Sequence, residues 1–531
     1  MRRHKGIARA AGIIGASTLM SRIMGYVRDM VMSGLFGAGM MTDAYIAAFR
    51  IPNYLIRIFG EGTLNASFVP VFTETLNRKG REHAWDLANV VITVIFTILS
   101  LFVILGMIFT PGLVKAITPG FTKDPMQFNL TVLLTRIIFP VAVFVGLSAA
   151  SMGILNSLNH FGSPAIAPSF FNLMIILSAL FLSPHLPVPI TSLAIGVLMG
   201  GLLQISVQVP FLIRKGFRFR YRLDLAHQGM RKIFSLMVPG VIGQSVLQIN
   251  LFIGNLLASF LPAGSITYLF FADRLVQFPL AVFGFSAATA MLPALSVHAS
   301  NKNIPEMVET LSKAMRMVLF LMIPSMIGLL VLKTPIVNTL FQRGSFGAAA
   351  TQGTASALMF YSLGLWAFAE VRMVAQTFYA VQDTWTPMKV AALSLLVNLL
   401  LSLFLMRYLQ HSGLALANSL SSMLNVSVLI WILRRRIGPL QGRMIFRSVI
   451  KIFSASLVMG IFAYYGAYHG VEGNLWLSSG HALKKIFYLG RGILMGVASY
   501  VILCTALKVE EFEVMRKWIF KIPAEGKSKV S

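Results

Sequence analysis

Ser21-Arg-Ile-Met-Gly-Tyr-Val-Arg-Asp29 lies within an apolar run over residues 8–36. A run of that length spans a bilayer as one helix. Near the bilayer centre each arginine costs about 2.5–3.5 kcal/mol on insertion scales. A chain keeps Arg22 and Arg28 there only if they face a bundle interior or an aqueous cavity, and a cavity lined by arginine suits an anion. The pattern recurs further along. The next apolar run carries Asp43, Arg50, Arg57 and Glu61, and Asp273-Arg274 follows Tyr268-Leu-Phe-Phe-Ala272. The fold to expect is all-α and membrane-embedded, with charges turned inward.

Composition agrees. The 531 residues are 56% hydrophobic and 12% charged, with mean hydropathy +0.76, whereas soluble domains carry about 25% charged residues. Fourteen spans are predicted, near residues 8–36, 42–75, 86–109, 131–156, 165–182, 189–212, 231–259, 267–297, 308–332, 353–381, 387–407, 413–433, 446–466 and 486–507. Pro52 and Pro279 predict bends beside the charged positions, because proline removes a helical hydrogen bond. The start, Met1-Arg-Arg-His-Lys5, resembles the basic region of a signal peptide, but Arg22 and Arg28 and the lack of a small-residue cleavage site point to a retained first helix. The single cysteine, Cys504, excludes an intrachain disulfide.

An even number of spans puts both termini on one side. That side holds Arg2, Arg3, Lys5 and Arg9, the Arg78–Arg81 cluster, the loop Arg214-Lys-Gly-Phe-Arg-Phe-Arg-Tyr-Arg222, Arg434-Arg-Arg436 with Arg443 and Arg447, and the basic tail. The positive-inside rule makes it cytoplasmic. The net charge of +27 is thereby mostly topology and attraction to anionic lipid. Nucleic acid is not an expected partner, because the 214–222 loop is short and topology already explains it.

The chain repeats. Gly12-Ile-Ile-Gly-Ala-Ser17 recurs as Gly240-Val-Ile-Gly-Gln-Ser245, and Leu193-Ala-Ile-Gly-Val-Leu-Met-Gly-Gly-Leu-Leu-Gln-Ile-Ser206 is echoed by Leu414-Ala-Leu-Ala-Asn-Ser-Leu-Ser-Ser-Met-Leu-Asn-Val-Ser427. Helices 1–6 thus match helices 7–12 in the same membrane orientation, a parallel repeat of the kind transporters use. The expected division is an N-terminal lobe over 1–215, a C-terminal lobe over 216–436, and helices 13–14 with the basic tail over 437–531. A binding site is expected where helices 1, 2, 7 and 8 meet.

Each charge has more than one reading. Arg28-Asp29 reads as a neutralised interior pair or as a snorkelling pair near the helix end. Arg22 has no acid near it in sequence and points to the cavity. Asp43, just after Gly37-Ala-Gly39, caps its own helix or pairs with a cation. Arg50 reads as a packing residue. Arg57 and Glu61 are one helical turn apart, so Glu61 orients Arg57. Arg274 is assigned to the cavity and Asp273 to structure, while Glu370, Arg372 and Lys389 are further candidates. Guanidinium forks match phosphate oxygens bidentately, and three or four of them fit a pyrophosphate better than a single carboxylate. In a lipid-accessible cavity that suggests a lipid-linked phosphate.

Ser21–Asp29, Phe36-Gly-Ala-Gly-Met-Met-Thr-Asp-Ala-Tyr45, Arg57-Ile-Phe-Gly-Glu-Gly62, Phe271-Ala-Asp-Arg-Leu275, Phe341-Gln-Arg-Gly344 and the stretch from Phe378 to Lys389 closely resemble the MurJ/MviN family over nearly the whole chain. These are bacterial lipid II flippases of the MOP (MATE-like) superfamily. The resemblance implies fourteen helices in two six-helix lobes plus two C-terminal helices that hold the lipid tail. It also implies alternating access and export of undecaprenyl-pyrophosphate-linked peptidoglycan precursor across the bacterial inner membrane. Its substrate-binding arginines fall on Arg22, Arg28 and Arg274, and its helix-2 positions on Asp43, Asn53 and Glu61; Ser21 opens the first motif. Two departures stand out. Ile56-Arg57 replaces an arginine pair, leaving Arg57 alone, and Gln277 stands where relatives carry an acid. Helices 7 and 11 contain no Asp or Glu, which argues against a sodium site of the kind some members use.

The expected partners are lipid II and membrane lipids, with the peptidoglycan synthesis machinery as a further candidate. No cofactor or metal is expected, and membrane-potential or cation coupling is the expected energy source. A drug or cation antiporter needs intramembrane carboxylates, yet arginines outnumber acids here. A polyprenyl-phosphate enzyme needs paired metal-binding acids, and none is found. A flippase for another polyprenyl-linked glycan is the nearest rival.

Overall fold

The computed structural model describes residues 2–59, 63–301, 303–471 and 473–519. All regular structure among them is helical. In chain order come α1 (Arg2–Phe36), α2 (Met40–Phe59), α3 (Thr63–Lys79), α4 (Arg81–Ile108), α5 (Thr110–Ile117), α6 (Pro125–Ile138), α7 (Val141–Ser157), α8 (Gly162–Phe181), α9 (Thr191–Ser206), α10 (Val209–Arg214) and α11 (Gln228–Ala258). Then follow α12 (Ser265–Pro279), α13 (Phe285–Ser300), α14 (Ile304–Val331), α15 (Lys333–Phe341), α16 (Ala348–Leu363), α17 (Leu365–Ala380), α18 (Trp385–Ile437), α19 (Gly442–Tyr468), α20 (Ala482–Ala506) and α21 (Glu510–Ile519).

The repeat is visible in the order of elements. Helices begin at Arg81, Thr110, Pro125 and Gly162, and again at Ile304, Lys333, Ala348 and Trp385, each 223 residues further on. In both copies a long apolar helix is followed by a short one and then by a broken span.

The stretches expected as spans lie mainly on helix among the described residues, the one over 42–75 crossing residues 60–62, which lie outside them. Among the described residues, eight helices are long and apolar enough to cross a membrane, or nine if the pair α16–α17, bent by 41°, counts as one span. The helices carrying intramembrane charge, α1, α2 and α12, are not among those eight. The longest, α18, turns back on itself at Gln410 (φ 50°, ψ −130°). Its two arms pack closely enough for Ser394 to donate to the Ser421 carbonyl at 2.8 Å, and they coincide with the stretches expected over 387–407 and 413–433. Pro52 lies inside α2. Pro279 ends α12, where the helix widens into one π turn over Leu280–Gly284, an irregularity often found at functional sites.

Packing divides the chain into two compact units, Met1–Thr267 with Gly344–Phe346, and Tyr268–Arg343 with Gly347–Ser531. Helix α11 thus packs with the first unit, although the sequence repeat begins a new copy there. The first unit's core joins α3, α4, α7 and α11 through fully buried Phe68, Phe72, Leu87 and Ile154.

Gly344–Phe346 docks on the end of α1, where the Ser345 amide donates to the Gly34 carbonyl at 2.9 Å and the Ser345 hydroxyl to Leu35 O at 3.0 Å. A Cβ on Gly37 (φ +66°) would lie 2.4 Å from the Ser345 carbonyl oxygen, and one on Gly344 (φ +51°) 2.2 Å from that of Gly34. Only glycine combines a left-handed backbone with so close an approach. That accounts for both glycines in their motifs.

Candidate functional site

In the first unit the site is built on α1. Arg28 is 8% exposed and Asp29 1%. Arg28 Nη2 and Nε donate to Asp29 Oδ1 at 2.7 and 3.0 Å, and Nη1 donates to Asn172 Oδ1 at 3.1 Å. The amide nitrogen of Asn172 in turn donates to Pro168 O at 3.2 Å and Ser21 O at 3.4 Å, fastening α8 to α1. The pair is neutral as a unit, which is how a charge is retained in low dielectric. One and a half turns earlier, Arg22 is exposed and Ser21 half-buried. The two arginines of α1 thus occupy opposite circumstances, one held and one open.

Asp43, 2% exposed, does not cap its own helix. Its carboxylate accepts from the Gly264 amide at 2.6 Å, the Thr267 amide at 2.8 Å and the Thr267 hydroxyl at 2.6 Å. The first amides of a helix have no acceptor inside it, and the positive end of the helix dipole favours an anion. Asp43 therefore caps the first turn of α12 from a different helix. Arg50 hydrogen-bonds Asn255, whose amide donates to the Tyr54 hydroxyl at 2.8 Å. That hydroxyl donates on to Leu251 O at 3.1 Å, fastening α2 to α11. Asn53 is half-buried beside this network. The side chain of Arg57 and all of Glu61 lie outside the described residues.

In the second unit Asp273 and Arg274 are half-buried, and Gln277 is exposed. Gln277 donates to Asp273 Oδ1 at 3.4 Å, and the Arg274 guanidinium lies 5.4 Å from the centre of the Phe270 ring, a cation–π distance. Glu370 on α17 is 1% exposed, and neither of its carboxyl oxygens has a hydrogen-bond partner among the described residues. Arg372 and Lys389 are exposed. No cluster of three or more His, Cys, Asp or Glu side chains suited to a metal occurs among the described residues.

Sequence reasoning missed Asn172, Asn255 and Thr267, because it followed charge. Asn172 was marked as the lone amide of an apolar helix, in Phe170-Phe-Asn172-Leu, whereas Asn255 shares α11 with Gln244, Gln248 and Asn250.

The helix order with its parallel repeat is that of a MATE-like transporter. A solved inward-facing multidrug-resistance MATE transporter of the MOP superfamily superposes with TM-score 0.68 at 14% identity, over 81% of this chain and 99% of that one, a likeness of fold alone. A solved lipid II flippase MurJ in an inward closed conformation superposes with TM-score 0.76 at 27% identity, over 93% of this chain and 98% of that one. Residues 32–479 match the family described as lipid II flippase MurJ. A probable lipid II flippase MurJ from Vibrio cholerae is 37% identical over 518 residues, 95% of this chain and 97% of that protein. The lipid II flippase MurJ of Burkholderia cenocepacia is 34% identical over 457 residues, 85% of this chain and 88% of that protein. The chain belongs to the MurJ family of lipid II flippases.

Proposed function

We propose that this chain moves lipid II between leaflets by gripping its pyrophosphate with Arg22, Arg28, Arg57 and Arg274. Ser21 and Asn53 supply neutral hydrogen bonds, and Asp29, Asp43, Glu61, Asp273 and Gln277 orient or balance the charges. Family membership makes the chain a lipid II flippase working by alternating access in peptidoglycan synthesis. The observation that best supports the arginine assignment is the held-and-open arrangement on α1. Arg22 is exposed, while Arg28 is held in a buried site by Asp29 and Asn172. A multiply charged head group first meets the open arginine and then competes for the held one.

No bond is made or broken in this scheme, so the work is binding and conformational change. Driving a two-state equilibrium decisively one way takes about 5.5 kcal/mol of differential affinity. Charge-assisted hydrogen bonds contribute about 1.5–3 kcal/mol each, so two or three from the arginines suffice. The lobes expected over 1–215 and 216–436 would then rock, with 437–531 holding the tail, the chain in the bacterial inner membrane and both termini cytoplasmic. Moving net charge across the membrane couples to voltage at about 2.3 kcal/mol per charge per 100 mV. Membrane-potential or cation coupling is accordingly the proposed energy source, and the peptidoglycan synthesis machinery a proposed partner.

The test is rescue of cells depleted of their own lipid II flippase, scored by lipid II exposed at the outer surface. The natural chain is expected to restore exposure, and Arg22→Ala to abolish it at equal membrane abundance. Full export by Arg22→Ala would remove that arginine from the site. Failure of the natural chain to rescue, with export of another polyprenyl-linked glycan, would redirect the substrate.

A further inference from the structure

The basic triplet Arg434-Arg435-Arg436 reads in the sequence as topology alone, but its three side chains meet different surroundings. Arg436 is neutralised by Asp383 and also donates to the Thr386 hydroxyl at 3.0 Å. Arg435 lies over the half-exposed indole of Trp431, 4.0 Å from the ring centre, as aromatic residues at a bilayer boundary allow. Arg434 does neither. It lines a cavity of about 730 Å³ together with Met315, Ile430, Leu440, Arg443 and Ile445. Among the described residues Arg434 and Arg443 make no ion pair, and no acid lines the cavity. Its volume falls within the ~300–1,000 Å³ usual for small-molecule sites.

The hairpin at its mouth is sharply defined. Gly438 (φ +89°) and Gln441 (φ +52°) are both left-handed, and the Gly438 amide donates to Arg434 O at 3.1 Å. Arg434 is thereby fixed in the last turn of α18 and Arg443 in the first turn of α19. Helix α19 begins with no acidic residue in its first turn and no side-chain cap. A cation at the positive end of a helix is unfavourable without an anion to offset it. An uncapped helix start beside two unpaired guanidiniums is a phosphate receptor, and here it opens onto an apolar trough. Met444 and Phe446, 54% and 66% exposed, continue the apolar surface outward.

We propose that this cavity binds one anionic phospholipid. The headgroup phosphate sits between Arg434 and Arg443 at the start of α19, and an acyl chain lies along Met315, Ile430, Leu440 and Ile445. A soluble anion would leave the apolar floor unused, and a zwitterionic lipid would place a second cation beside the two guanidiniums. The site stands on the second unit alone and does not depend on how lipid II is bound.

The test uses the full-length chain purified in mild detergent, with phosphatidylglycerol as probe and phosphatidylcholine as control, and bound lipids counted by native mass spectrometry. One phosphatidylglycerol is expected to be held preferentially. Arg434→Gln/Arg443→Gln should weaken it about a hundredfold, about tenfold for each charge-assisted contact removed. Arg435→Gln/Arg447→Gln removes equal charge from the same face and should leave it bound. Ile445→Trp, which fills the trough with both arginines intact, should displace it and covers the case in which the arginine pair is needed for folding. Equal loss in both arginine doubles would mean surface charge only and overturn the proposal. So would retention in Ile445→Trp, or a polyprenyl phosphate held at the site in place of phosphatidylglycerol.

Discussion

The two units treat their membrane charges differently. In the first, every described acid of α1 and α2 is engaged: Asp29 takes two bonds from Arg28, and Asp43 takes three from the start of α12. In the second, Asp273 accepts a long bond from Gln277, and buried Glu370 has no hydrogen-bond partner among the described residues. The first unit has built Arg28, Asp29 and Asp43 into the fold and leaves Arg22 exposed; the second presents Asp273 and Arg274 half-buried. On the proposed assignment, binding at Arg28 is an exchange, in which a phosphate oxygen replaces Asp29 or Asn172. A transporter gains from this asymmetry, because a site satisfied at rest does not collapse when empty.

If that reading holds, substitutions in the first unit cost stability as well as export. Arg28→Ala leaves Asp29 buried without its cation, and breaking a buried pair from one side costs about 3–5 kcal/mol. Loss of export and a marked fall in thermal stability are expected together, read by lipid II exposure and by unfolding of the purified protein. Arg28→Gln/Asp29→Asn removes both charges and should recover most of the stability with none of the export. Stability that stays low in the double variant would mean Arg28 matters through packing.

Asp43→Ala comes next. It uncovers two backbone amides and the Thr267 hydroxyl, and leaving buried donors unpaired costs about 1–3 kcal/mol. Asp43→Asn should recover part of that, since an amide oxygen still accepts. Hydrogen exchange at Gly264 and Thr267 is the direct measurement, expected to accelerate in Asp43→Ala and to a lesser degree in Asp43→Asn. Unchanged protection would mean that the cap adds nothing to the first turn of α12.

Much of this was legible in the chain. The apolar runs are set by composition, and the repeat by matched motifs whose helices begin 223 residues apart. The charged positions announce themselves because a bilayer penalises them. What stayed hidden depends on neighbours distant in sequence. Whether Asp43 caps α2 or α12 turns on where Gly264 and Thr267 arrive, and nothing within α2 specifies that. Asn172 escaped notice for a related reason: a lone amide in an apolar helix states a need for a partner without naming it. The Arg434–Arg436 triplet was read as a single signal, yet its side chains lie on different helix faces and have three separate fates.

Paired acids also exist in the second unit, but at its rim. Burial would raise the Asp383 carboxyl, yet hydrogen bonds from the Thr386 hydroxyl and amide, with the Arg436 guanidinium, hold it down at about 2. A lowered acid stabilises the fold above its unfolded value of about 3.9 and loses that contribution as pH falls through the folded value. Stability should therefore be insensitive to this group between about pH 5 and 8 and decline only below about pH 4. Asp383→Asn should flatten that decline, as measured by thermal unfolding across pH. An unchanged acid limb would mean that the contact with Arg436 does not persist in solution.

Arg274→Ala should cost the fold least, and for that reason it tests the asymmetry most directly. The side chain is half-buried on α12, with its guanidinium over Phe270, and a partly exposed cation–π contact contributes about 0.5–1 kcal/mol. Thermal stability should fall less than in Arg28→Ala, while lipid II export is lost at undiminished membrane abundance. Arg274→Lys keeps the charge but not the planar fork, so it should retain stability and recover export only in part. A large stability loss in Arg274→Ala would place this arginine in the same class as Arg28. Binding at Arg274 would then proceed by exchange, as proposed for Arg28.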